Sequence, residues 1–465
     1  MSPKFGTSGL RGLVTELTDD LVADHVRAFL SACPHGGQVY VGWDLRPSSP
    51  RIADAVCAAA AATGVEVVRV GALPTPALAL AAIEAGAAAV MVTGSHIPAD
   101  RNGLKFYVPT GEISKDDETA ILAHLGRATG ADTGDGMVRD DPNALDAYHA
   151  RYVAAFGPGA LNGLRIGVYE HSSVARDVLG VVLQTLGAET VGLARSDTFI
   201  PVDTEAVDPD TRAQLAAWAQ DHELDAIVST DGDGDRPMVA DATGRIVPGD
   251  VLGPLTARLL GARQLVTPVS SNSMIADMPA FDSLQRTRIG SPYVIAGMER
   301  TLTADPDAPV AGYEANGGFL LGFTARGPAG PLPPLMTRDS LLPIIAPLVA
   351  ARRANQGLAE LMAALPARHT AADRLQGIEP AASAPFLATL MEDAARRAIF
   401  FDTMPAETGT DVTDGLRVTF EGGDVVHLRP SGNAPEFRCY AEAGTADAAR
   451  TLVASHLEKL RDVLA

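Results

Sequence analysis

The rest of the chain is organised around the stretch Ala87-Ala88-Ala89-Val90-Met91-Val92-Thr93-Gly94-Ser95-His96-Ile97-Pro98. Its first six residues form an apolar run that predicts a buried strand. Gly94 and Pro98 break regular structure, so Ser95 and His96 are expected on a loop at the carboxyl end of that strand. Ligands bind at this end of the strands in open α/β sheets. Taken alone, the loop is equally well explained as an ordinary turn, because Thr, Gly, Ser and Pro are common turn residues.

The segments around this stretch alternate between strand and helix patterns. A helical pattern at 19–32 is followed by short apolar or β-branched runs at residues 38–42, 65–70 and 87–92, which are separated by helical patterns at 52–62 and from Pro74 onward. This alternation predicts a parallel sheet that is covered by helices on both faces. The same rhythm restarts twice, once near residue 164 and once near residue 263.

The C-terminal part follows a different pattern. Two predicted strands, at 415–420 and 424–428, are joined by the hairpin turn Glu421-Gly422-Gly423, and a helical pattern follows at 446–463. We therefore predict an α/β protein with three consecutive α/β domains, built on mixed or parallel sheets, and a smaller C-terminal α+β domain. The predicted domain boundaries are 1–140, 141–261, 262–370 and 371–465.

The chain is acidic, with 37 Lys and Arg against 57 Asp and Glu and a formal net charge of −20. This balance argues against nucleic acid and anionic membrane surfaces as partners. An anionic small substrate is compatible with it, because a few cations in a cleft outweigh a distant acidic surface. Cys33, Cys57 and Cys439 lack metal-type spacing, and we find neither an export signal nor an apolar run as long as a spanning helix. We therefore expect a cytoplasmic protein with reduced thiols.

Asp231, Asp233 and Asp235 alternate with glycines directly after a predicted buried strand. Three carboxylates placed in this way repel one another unless a cation lies among them, and Mg²⁺ prefers such oxygen ligands. A calcium EF-hand is excluded, because its sixth and twelfth positions would be Arg236 and Ala242. A haloacid-dehalogenase-type loop with Asp231 and Asp233 and a solvated acidic turn are the remaining alternatives.

Two loops carry residues that are suited to anions. The glycine-rich segment 5–12 contains Thr7, Ser8 and Arg11 and could wrap an anion, although a loose terminus explains it as well. A loop after the predicted strand at 424–428 combines an arginine, a hydroxyl, a glycine and an amide, which suit a phosphate but also form plain turns. These residues are Arg429, Ser431, Gly432 and Asn433.

Two further stretches also follow predicted strands. Glu314 and Asn316, on the glycine-rich loop 312–318, offer a carboxylate and an amide for hydrogen bonds to sugar hydroxyls. Arg288 begins a weaker candidate stretch at 288–294. The sequence contains neither a P-loop nor a dinucleotide-binding fingerprint, so nucleotide binding is not indicated.

A cation is expected beside the Ser95 loop. Residues 100–103, Asp-Arg-Asn-Gly, predict a turn, and the following Leu-Lys-Phe-Tyr returns Lys105 to the loop. A serine hydroxyl is a weak nucleophile on its own, and a nearby cation or metal ion could activate it.

Taken together, these loops resemble the α-D-phosphohexomutase family. Their order matches along almost the whole chain: a glycine/arginine loop, a Ser-His loop, an Asp-x-Asp-x-Asp-Arg loop, a glutamate-bearing loop and an Arg-Pro-Ser-Gly loop. The resemblance implies a four-domain protein around a large central cleft, with one motif from each domain. It also implies a phosphoserine enzyme that forms a bisphosphorylated sugar and is activated by hexose 1,6-bisphosphate.

The resemblance further implies roles at the reacting phosphate. Ser95 would carry the transferable phosphoryl group, and its phosphate would bind one Mg²⁺ together with the three aspartates, Asp231, Asp233 and Asp235. Charge at the same place would be neutralised by Arg11, His96, Lys105 and Arg236.

For the sugar, the resemblance implies that Glu314 binds hydroxyl groups. The phosphate that is not reacting would be clamped by Arg429, Ser431, Gly432 and Asn433. The other substrate-binding candidates are Thr7, Ser8, Arg288 and Asn316.

The chain departs from the family pattern in three loops. Gly94 and Ile97 replace Ala and Asn in the Ser-His loop, and Asn433 begins an Asn-Ala-Pro that replaces the commoner Thr-Glu-Pro. Gly318 stands where relatives carry a histidine, which is a candidate proton shuttle. The general acid or base is therefore open, and the candidates are Lys105, Arg11 and His96.

We expect a phosphohexomutase that interconverts hexose 1-phosphate and hexose 6-phosphate and acts as a monomer or a dimer. Mannose phosphate is the expected substrate, because the variants at residues 94–98 and 314–318 resemble bacterial phosphomannomutases. Phosphoglucomutase and phosphoglucosamine mutase activities are alternatives, since a single contact at C2 distinguishes these sugars. Two hypotheses of other classes are a Mg²⁺-dependent sugar phosphatase that uses Asp231 and a non-catalytic sugar-phosphate binder.

Overall fold

The computed structural model describes residues 3–6, 9–127, 134–431 and 435–464. Its strands form four main sheets that follow one another along the chain, and helices cover each of them. The predicted α/β architecture with a C-terminal α+β part is confirmed. Within these ranges, no helix combines the length and the apolar character needed to cross a lipid bilayer.

The first sheet has a parallel centre, as predicted. Gln38–Trp43 lies between Glu66–Ala72 and Ala88–Val92, and Arg101–Val108 returns antiparallel to Ala88–Val92. Its other strands are Lys4–Phe5, Leu10–Leu13, Gly111–Glu112 and Val138–Asp140. The helices in this part of the chain are Asp19–Ala32, Ser49–Ala62, Thr75–Glu84 and Lys115–His124.

The turn predicted at residues 100–103 is wrong by two residues, because the turn spans residues 98–101. The backbone N–H of Arg101 donates to the carbonyl oxygen of Pro98 (3.1 Å), and the strand begins at Arg101 itself. Asn102 is buried in that strand, and its amide donates to the hydroxyl of Ser48 (2.8 Å). Pairing with the N-terminal strand supplies backbone partners for this segment, and such a long-range partner leaves no local sequence signal.

The second sheet has the same arrangement as the first. Arg165–Tyr169 lies parallel to Glu189–Leu193 and to Ala226–Thr230, and Pro237–Asp241 returns antiparallel to Ala226–Thr230. Ile246–Val247 completes the edge. The helices in this part of the chain are Ala144–Phe156, Arg176–Thr185, Pro209–Asp221 and Gly249–Leu260.

The third sheet has this strand arrangement as well. Gln264–Pro268 lies parallel to Ser283–Thr287 and to Val310–Tyr313, and Phe319–Leu321 returns antiparallel to Val310–Tyr313. Leu335–Asp339 forms the edge, and Ala325–Arg326 and Pro331–Leu332 form a separate ribbon. The helical segments here are Ser273–Asp277 (a 3₁₀ helix), Ser291–Ala304, Leu341–Arg353 and Leu358–Ala363.

The fourth sheet is antiparallel throughout. Its strands, in spatial order, are His369–Gln376, Glu436–Ala443, Val425–Pro430, Leu416–Phe420 and Glu407–Asp411. The helices Pro380–Glu392, Ala394–Phe400 and Ala446–Leu464 accompany it. The predicted hairpin and covering helix are confirmed.

One hydrophobic core joins the first three sheets, whereas the fourth sheet has its own. The shared core includes Leu78 of helix Thr75–Glu84, Tyr152 of helix Ala144–Phe156 and Ile345 of helix Leu341–Arg353. A buried carboxylate strengthens this junction, because Asp339 accepts hydrogen bonds from the hydroxyls of Tyr148 (2.6 Å) and Tyr152. The separate core of the fourth sheet contains residues from Leu375 onward.

Polar contacts link the third sheet to the fourth. Asp250, at the start of helix Gly249–Leu260, is buried and accepts a hydrogen bond from the backbone N–H of Asn272 (3.0 Å). The side chain of Asn272 donates to the carbonyl oxygen of Arg368 (3.0 Å), which precedes the fourth sheet. Burial, together with the neighbouring Glu442 carboxylate, outweighs the hydrogen bond from Asn272 and raises the pKa of Asp250 to about 7.

Asp250 should make the stability of this junction depend on pH. Its pKa in the folded chain is above the value of about 4 expected in the unfolded chain, so the folded state holds the proton more tightly. The stabilising contribution of the neutral form is present below pH 4 and is lost as the pH rises towards 7. Asp250→Asn mimics the neutral form. We therefore expect the midpoint of thermal unfolding to fall less between pH 5 and pH 8 in Asp250→Asn than in the wild type.

Calorimetric unfolding at several pH values measures this difference. Asp277→Asn is the matched control, because Asp277 is an exposed carboxylate on a neighbouring segment, and its pH profile should follow the wild type. Identical profiles for Asp250→Asn and the wild type would contradict the assignment.

Candidate active site

The loop that carries Ser95 leaves the first sheet at the end of strand Ala88–Val92. Ser95 is buried, and its backbone is left-handed with φ of 53°, which strains a non-glycine residue by about 1–3 kcal/mol. The Thr93 hydroxyl accepts a hydrogen bond from the Ser95 backbone N–H (2.7 Å) and itself donates to Asp44 (2.7 Å). Neighbouring side chains therefore hold the serine in a conformation that it would not adopt alone.

Arg46 supports this loop, and the sequence analysis did not single it out. Its buried guanidinium donates to four backbone carbonyl oxygens, those of Ser95 (2.9 Å), Ile97 (2.5 Å), Pro98 (2.7 Å) and Arg101 (3.0 Å). The remaining N–H, on Nε, donates to Asp44 (3.1 Å). All five N–H donors of the guanidinium are thus used.

Gly94 is explained by the same arginine. A Cβ atom on Gly94 would lie 2.6 Å from Cζ of Arg46, which is closer than carbon atoms approach each other. The guanidinium also lies over the ring of Phe199, 4.1 Å from its centre. This cation–π contact joins the loop after strand Gln38–Trp43 of the first sheet to the segment after strand Glu189–Leu193 of the second. A signal was available in the sequence, because Asp44 and Arg46 directly follow a strand, as the other candidate loops do.

The three aspartates form the turn between strands Ala226–Thr230 and Pro237–Asp241. Asp231, Asp233 and Asp235 are all buried, and each offers an oxygen within 4.8 Å of the others. Oδ1 of Asp233 and Oδ1 of Asp235 have no hydrogen-bond partner among the described residues. Buried, unpartnered carboxylate oxygens are the hard donors that Mg²⁺ prefers, so this turn could hold a metal ion.

The serine and acidic loops meet directly. The Ser95 hydroxyl donates to Oδ2 of Asp231 at 2.6 Å, although the two residues lie 136 positions apart in the chain. Burial and the neighbouring Asp233 and Asp235 carboxylates raise the pKa of Asp231 well above its usual value.

Cations from two sheets surround these carboxylates. Lys105, on strand Arg101–Val108, donates to Asp233 and to Asp235 at 2.6 Å each. Arg338, on strand Leu335–Asp339, lies 2.8 Å from Asp235. Burial alone would raise the pKa of Asp235, but the charges of Arg338, Lys105 and Arg236 outweigh it and hold that pKa below its usual range.

Two further arginines belong to this group of charges. Arg236 forms an ion pair with Glu205 (3.6 Å) and lies 3.9 Å from Asp235. Burial, with Arg236 and Arg338 nearby, lowers the pKa of Arg11 to about 10. Arg11 therefore keeps its charge near neutral pH.

His96 adjoins the serine. Its Nδ1 lies 3.2 Å from the hydroxyl oxygen of Ser95. Burial and the positive charges of Arg236 and Arg11 lower the pKa of His96 well below its usual value. The imidazole is therefore neutral at physiological pH.

Glu314 and Asn316 form the turn between strands Val310–Tyr313 and Phe319–Leu321. Oε2 of Glu314 accepts a hydrogen bond from Arg338 (3.2 Å), the same arginine that contacts Asp235. The side-chain oxygen of Asn316 accepts from the backbone N–H of Gly318 (3.0 Å), so it is used within the turn.

The remaining candidates lie at the junction of the third and fourth sheets. Arg288 donates to the carbonyl oxygen of Thr413 (3.2 Å), and Arg429 lies 3.4 Å from Asp414. Ser431 is buried, and its backbone N–H donates to the backbone carbonyl oxygen of Glu436 (2.8 Å). Four candidates lie outside the described residues: Thr7, Ser8, Gly432 and Asn433.

The structure thus brings most of the predicted site together. One cluster contains Arg11, Ser95, His96, Lys105, Asp231, Asp233, Asp235, Arg236 and Glu314. Arg46, Arg338 and Thr75, whose hydroxyl donates to Asp233 (2.6 Å), were not among the predicted site residues. Arg46 directly follows a strand, whereas Arg338 and Thr75 have no such local signal and contact partners far away in the chain.

Models of one family match the chain in four successive segments. The α/β/α domains I, II and III of phosphoglucomutase/phosphomannomutase match residues 2–131, 148–244 and 248–369, and the C-terminal domain matches residues 354–459. Together these matches extend over most of the chain.

Whole-length relatives agree with these matches. The chain is 46% identical to a phosphomannomutase of Sinorhizobium fredii, covering 99% of both chains. It is 44% identical to a phosphomannomutase of Salmonella muenchen, covering 99% of this chain and 96% of the relative. A phosphoglucosamine mutase of Thermobifida fusca is 29% identical over 100% of this chain and 99% of the relative.

Solved structures share the fold. A phosphoglucomutase/phosphomannomutase family protein from Burkholderia thailandensis superposes with a TM-score of 0.78 at 22% identity, covering 98% of this chain and 96% of that one. A putative phosphomannomutase from Thermus thermophilus gives a TM-score of 0.77 at 22% identity, covering 99% and 100%.

Arg46 should be important for stability. We expect Arg46→Met to lower the free energy of unfolding by about 3 kcal/mol, because it leaves the buried Asp44 without its cation and removes the donor of several buried carbonyl oxygens. Urea unfolding measures the change. Arg51→Met is the control, since the half-exposed side chain of Arg51 pairs with Asp19 between two helices that cover the first sheet, and its loss should change stability by less than about 1 kcal/mol. Equal losses in the two variants would contradict the role of Arg46.

Proposed function

The chain belongs to the phosphoglucomutase/phosphomannomutase family, and we propose that it interconverts hexose 1-phosphates and hexose 6-phosphates, with mannose phosphate as its preferred substrate. It is therefore an isomerase that moves a phosphoryl group between two positions of one sugar. The observation that carries this proposal is the Ser95 hydroxyl, buried and 2.6 Å from Asp231 within a ring of cations.

In the first half of the reaction, the phosphoryl group carried by Ser95 passes to the free hydroxyl of the bound sugar phosphate. The Oγ–P bond breaks, a P–O bond to the sugar forms, the hydroxyl proton passes to the general base, and the released Oγ of Ser95 takes up a proton. The product is a bisphosphorylated sugar. After this intermediate turns round, its other phosphoryl group returns to Ser95, and the sugar oxygen released by it takes up a proton. Hexose 1,6-bisphosphate serves as the activator, because it phosphorylates Ser95 from the same position.

Phosphoryl transfer depends mostly on positioning and on charge neutralisation. We assign Lys105, Arg236 and Arg11 to the transferred oxygens, since these cations already lie around the acidic turn. The proton is exchanged within the group Lys105, Arg11 and His96, because Gly318 provides no side chain at the position of the family's histidine.

Asp231, Asp233 and Asp235 would hold one Mg²⁺ together with the phosphate on Ser95. The unpartnered oxygens of Asp233 and Asp235 support this assignment. When bound, Mg²⁺ neutralises negative charge on the phosphoryl oxygens.

The sugar and its second phosphate would be held by the third and fourth parts of the chain. We assign Glu314 to the sugar hydroxyls. The non-reacting phosphate goes to Arg429, Ser431, Gly432 and Asn433, and further substrate contacts go to Thr7, Ser8, Arg288 and Asn316.

The preference for mannose phosphate rests on the relatives. The two phosphomannomutases are 46% and 44% identical to the chain, whereas the phosphoglucosamine mutases are 28–31% identical. Phosphoglucomutase and phosphoglucosamine mutase activities by the same mechanism are the alternatives. We further propose a cytoplasmic monomer or dimer, divided into domains at residues 140/141, 261/262 and 370/371. The buried, unpaired cysteines support this location.

A coupled assay tests the proposed reaction. Mannose 1-phosphate, glucose 1-phosphate and glucosamine 1-phosphate are each supplied with Mg²⁺ and a trace of hexose bisphosphate, and formation of the 6-phosphates is followed. We expect turnover with mannose 1-phosphate to be fastest, to stop when Mg²⁺ is chelated, and to be almost absent in Ser95→Ala.

Other outcomes would contradict the proposal. Release of inorganic phosphate, retained in Ser95→Ala but lost in Asp231→Asn, would indicate a phosphatase. Binding of these sugars without turnover would indicate a sugar-phosphate binding protein. Faster turnover of glucose or glucosamine 1-phosphate would keep the mechanism and overturn the preference.

Arg429 provides a separate prediction about the distal phosphate. Arg429→Ala should raise KM by about tenfold or more, because it removes a charge-assisted contact to the phosphate, while kcat should change less. Steady-state kinetics with the preferred substrate measure both constants. Arg450→Ala is the control, since Arg450 is exposed on the C-terminal helix. An unchanged KM in Arg429→Ala would count against the clamp.

A further inference from the structure

Arg338 connects two loops that the proposed function treats separately. Its Nη2 lies 2.8 Å from Oδ2 of Asp235 in the acidic turn, and its Nη1 donates to Oε2 of Glu314 in the sugar loop (3.2 Å). The side chains of Arg338, Asp235 and Glu314 are each at most 5% exposed. The two ends of one rigid guanidinium plane therefore fix the distance between the two carboxylates.

The position of this arginine depends on a glycine. A Cβ atom on Gly318 would lie 3.0 Å from both Cγ and Cδ of Arg338, which is tighter than almost all real contacts. By the resemblance of the loop at 312–318, Gly318 stands where the family pattern has a histidine. The side-chain space at residue 318 is thus taken by the stem of Arg338, which arrives from the neighbouring strand Leu335–Asp339.

The charges explain why an arginine is needed here. Glu314 lies close to a turn with three buried carboxylates, and like charges repel strongly where water is excluded. Lys105 already contacts Asp233 and Asp235. Without Arg338, Glu314 would be buried with an unbalanced charge, and its side chain would turn away from the acidic turn.

We propose that Arg338 is a positioning residue that holds the Glu314 carboxylate in the orientation required by the sugar hydroxyls and ties it to the acidic turn. Arg338 acts through Glu314 rather than on the sugar itself. This inference rests on the proposed function only in that Glu314 is a sugar ligand.

A double-mutant cycle on sugar binding tests the inference. All variants are made in the full chain with Ser95→Ala, so that mannose 1-phosphate binds in the presence of Mg²⁺ without turnover, and calorimetry gives Kd. We expect Arg338→Gln and Glu314→Gln each to raise Kd by about tenfold or more. The double variant should be no more than about threefold weaker than the worse single variant, because both changes remove the same interaction.

The controls separate positioning from a general structural effect. Arg397 is a buried arginine that pairs with Glu407 in the fourth sheet, so Arg397→Gln should leave Kd unchanged and combine additively with Glu314→Gln. Gly318→Ala should raise Kd in the parent, and it should have little further effect in Arg338→Ala, which lacks the Cγ and Cδ atoms that the new methyl group would meet. Arg338→Lys, which keeps the charge without the planar fork, should lie between the parent and Arg338→Gln, and it replaces Arg338→Gln in the cycle if that variant does not fold.

The results that overturn the inference are distinct from those that overturn the proposed function. Additive losses in the cycle, or an unchanged Kd in Arg338→Gln, would show that Arg338 does not act through Glu314. If the wild type binds the sugar phosphate but does not isomerise it, the mutase proposal fails while the cycle still decides the role of Arg338. If mannose 1-phosphate, glucose 1-phosphate and glucosamine 1-phosphate all fail to bind, Glu314 is not a sugar ligand and the inference fails as well.

Discussion

The arrangement of the molecule depends on three carboxylates buried at one turn. One carboxylate oxygen from each of Asp231, Asp233 and Asp235 lies within 4.8 Å of the other two. So much negative charge is stable away from water only if cations and hydrogen-bond donors come close to it. The partners come from different sheets, with Ser95 and Lys105 from the first and Arg338 from the third. The charge that is needed for phosphoryl transfer therefore also holds three parts of the chain around one place.

The repeated sheet topology explains how the loops reach that place. In each of the first three sheets, four strands share one spatial order, and the third of these four in sequence is followed by an antiparallel strand that completes a hairpin. The turn of each hairpin carries a candidate loop: residues 93–100, 231–236 and 314–318. The fourth sheet also places its loop between two antiparallel strands, Val425–Pro430 and Glu436–Ala443. A tight turn after a buried strand presents polar side chains on a rigid support, which suits a reaction that depends on positioning.

The two glycines at which the sequence was interpreted as departing from the family pattern have the same packing environment. Gly94 leaves room for the guanidinium of Arg46, and Gly318 leaves room for the stem of Arg338. In both places a buried arginine from another segment fills the space and hydrogen-bonds the loop that carries a functional residue, Ser95 or Glu314. In both places, the absence of a side chain on the glycine leaves room for an arginine that is distant in the chain.

Local patterns in the sequence were enough to predict the α/β class, the C-terminal α+β part, the Ser-His loop and the acidic turn. Hydrophobic periodicity and turn residues are local, so they can be detected within a window of a few residues. Three-dimensional contacts were needed to show that three sheets share one topology, that Arg101–Val108 is a strand from its first residue, and that Arg46 and Arg338 belong to the site. These features depend on contacts between residues far apart in the chain, as between Ser95 and Asp231 at 136 positions, and a single sequence carries no local record of such contacts.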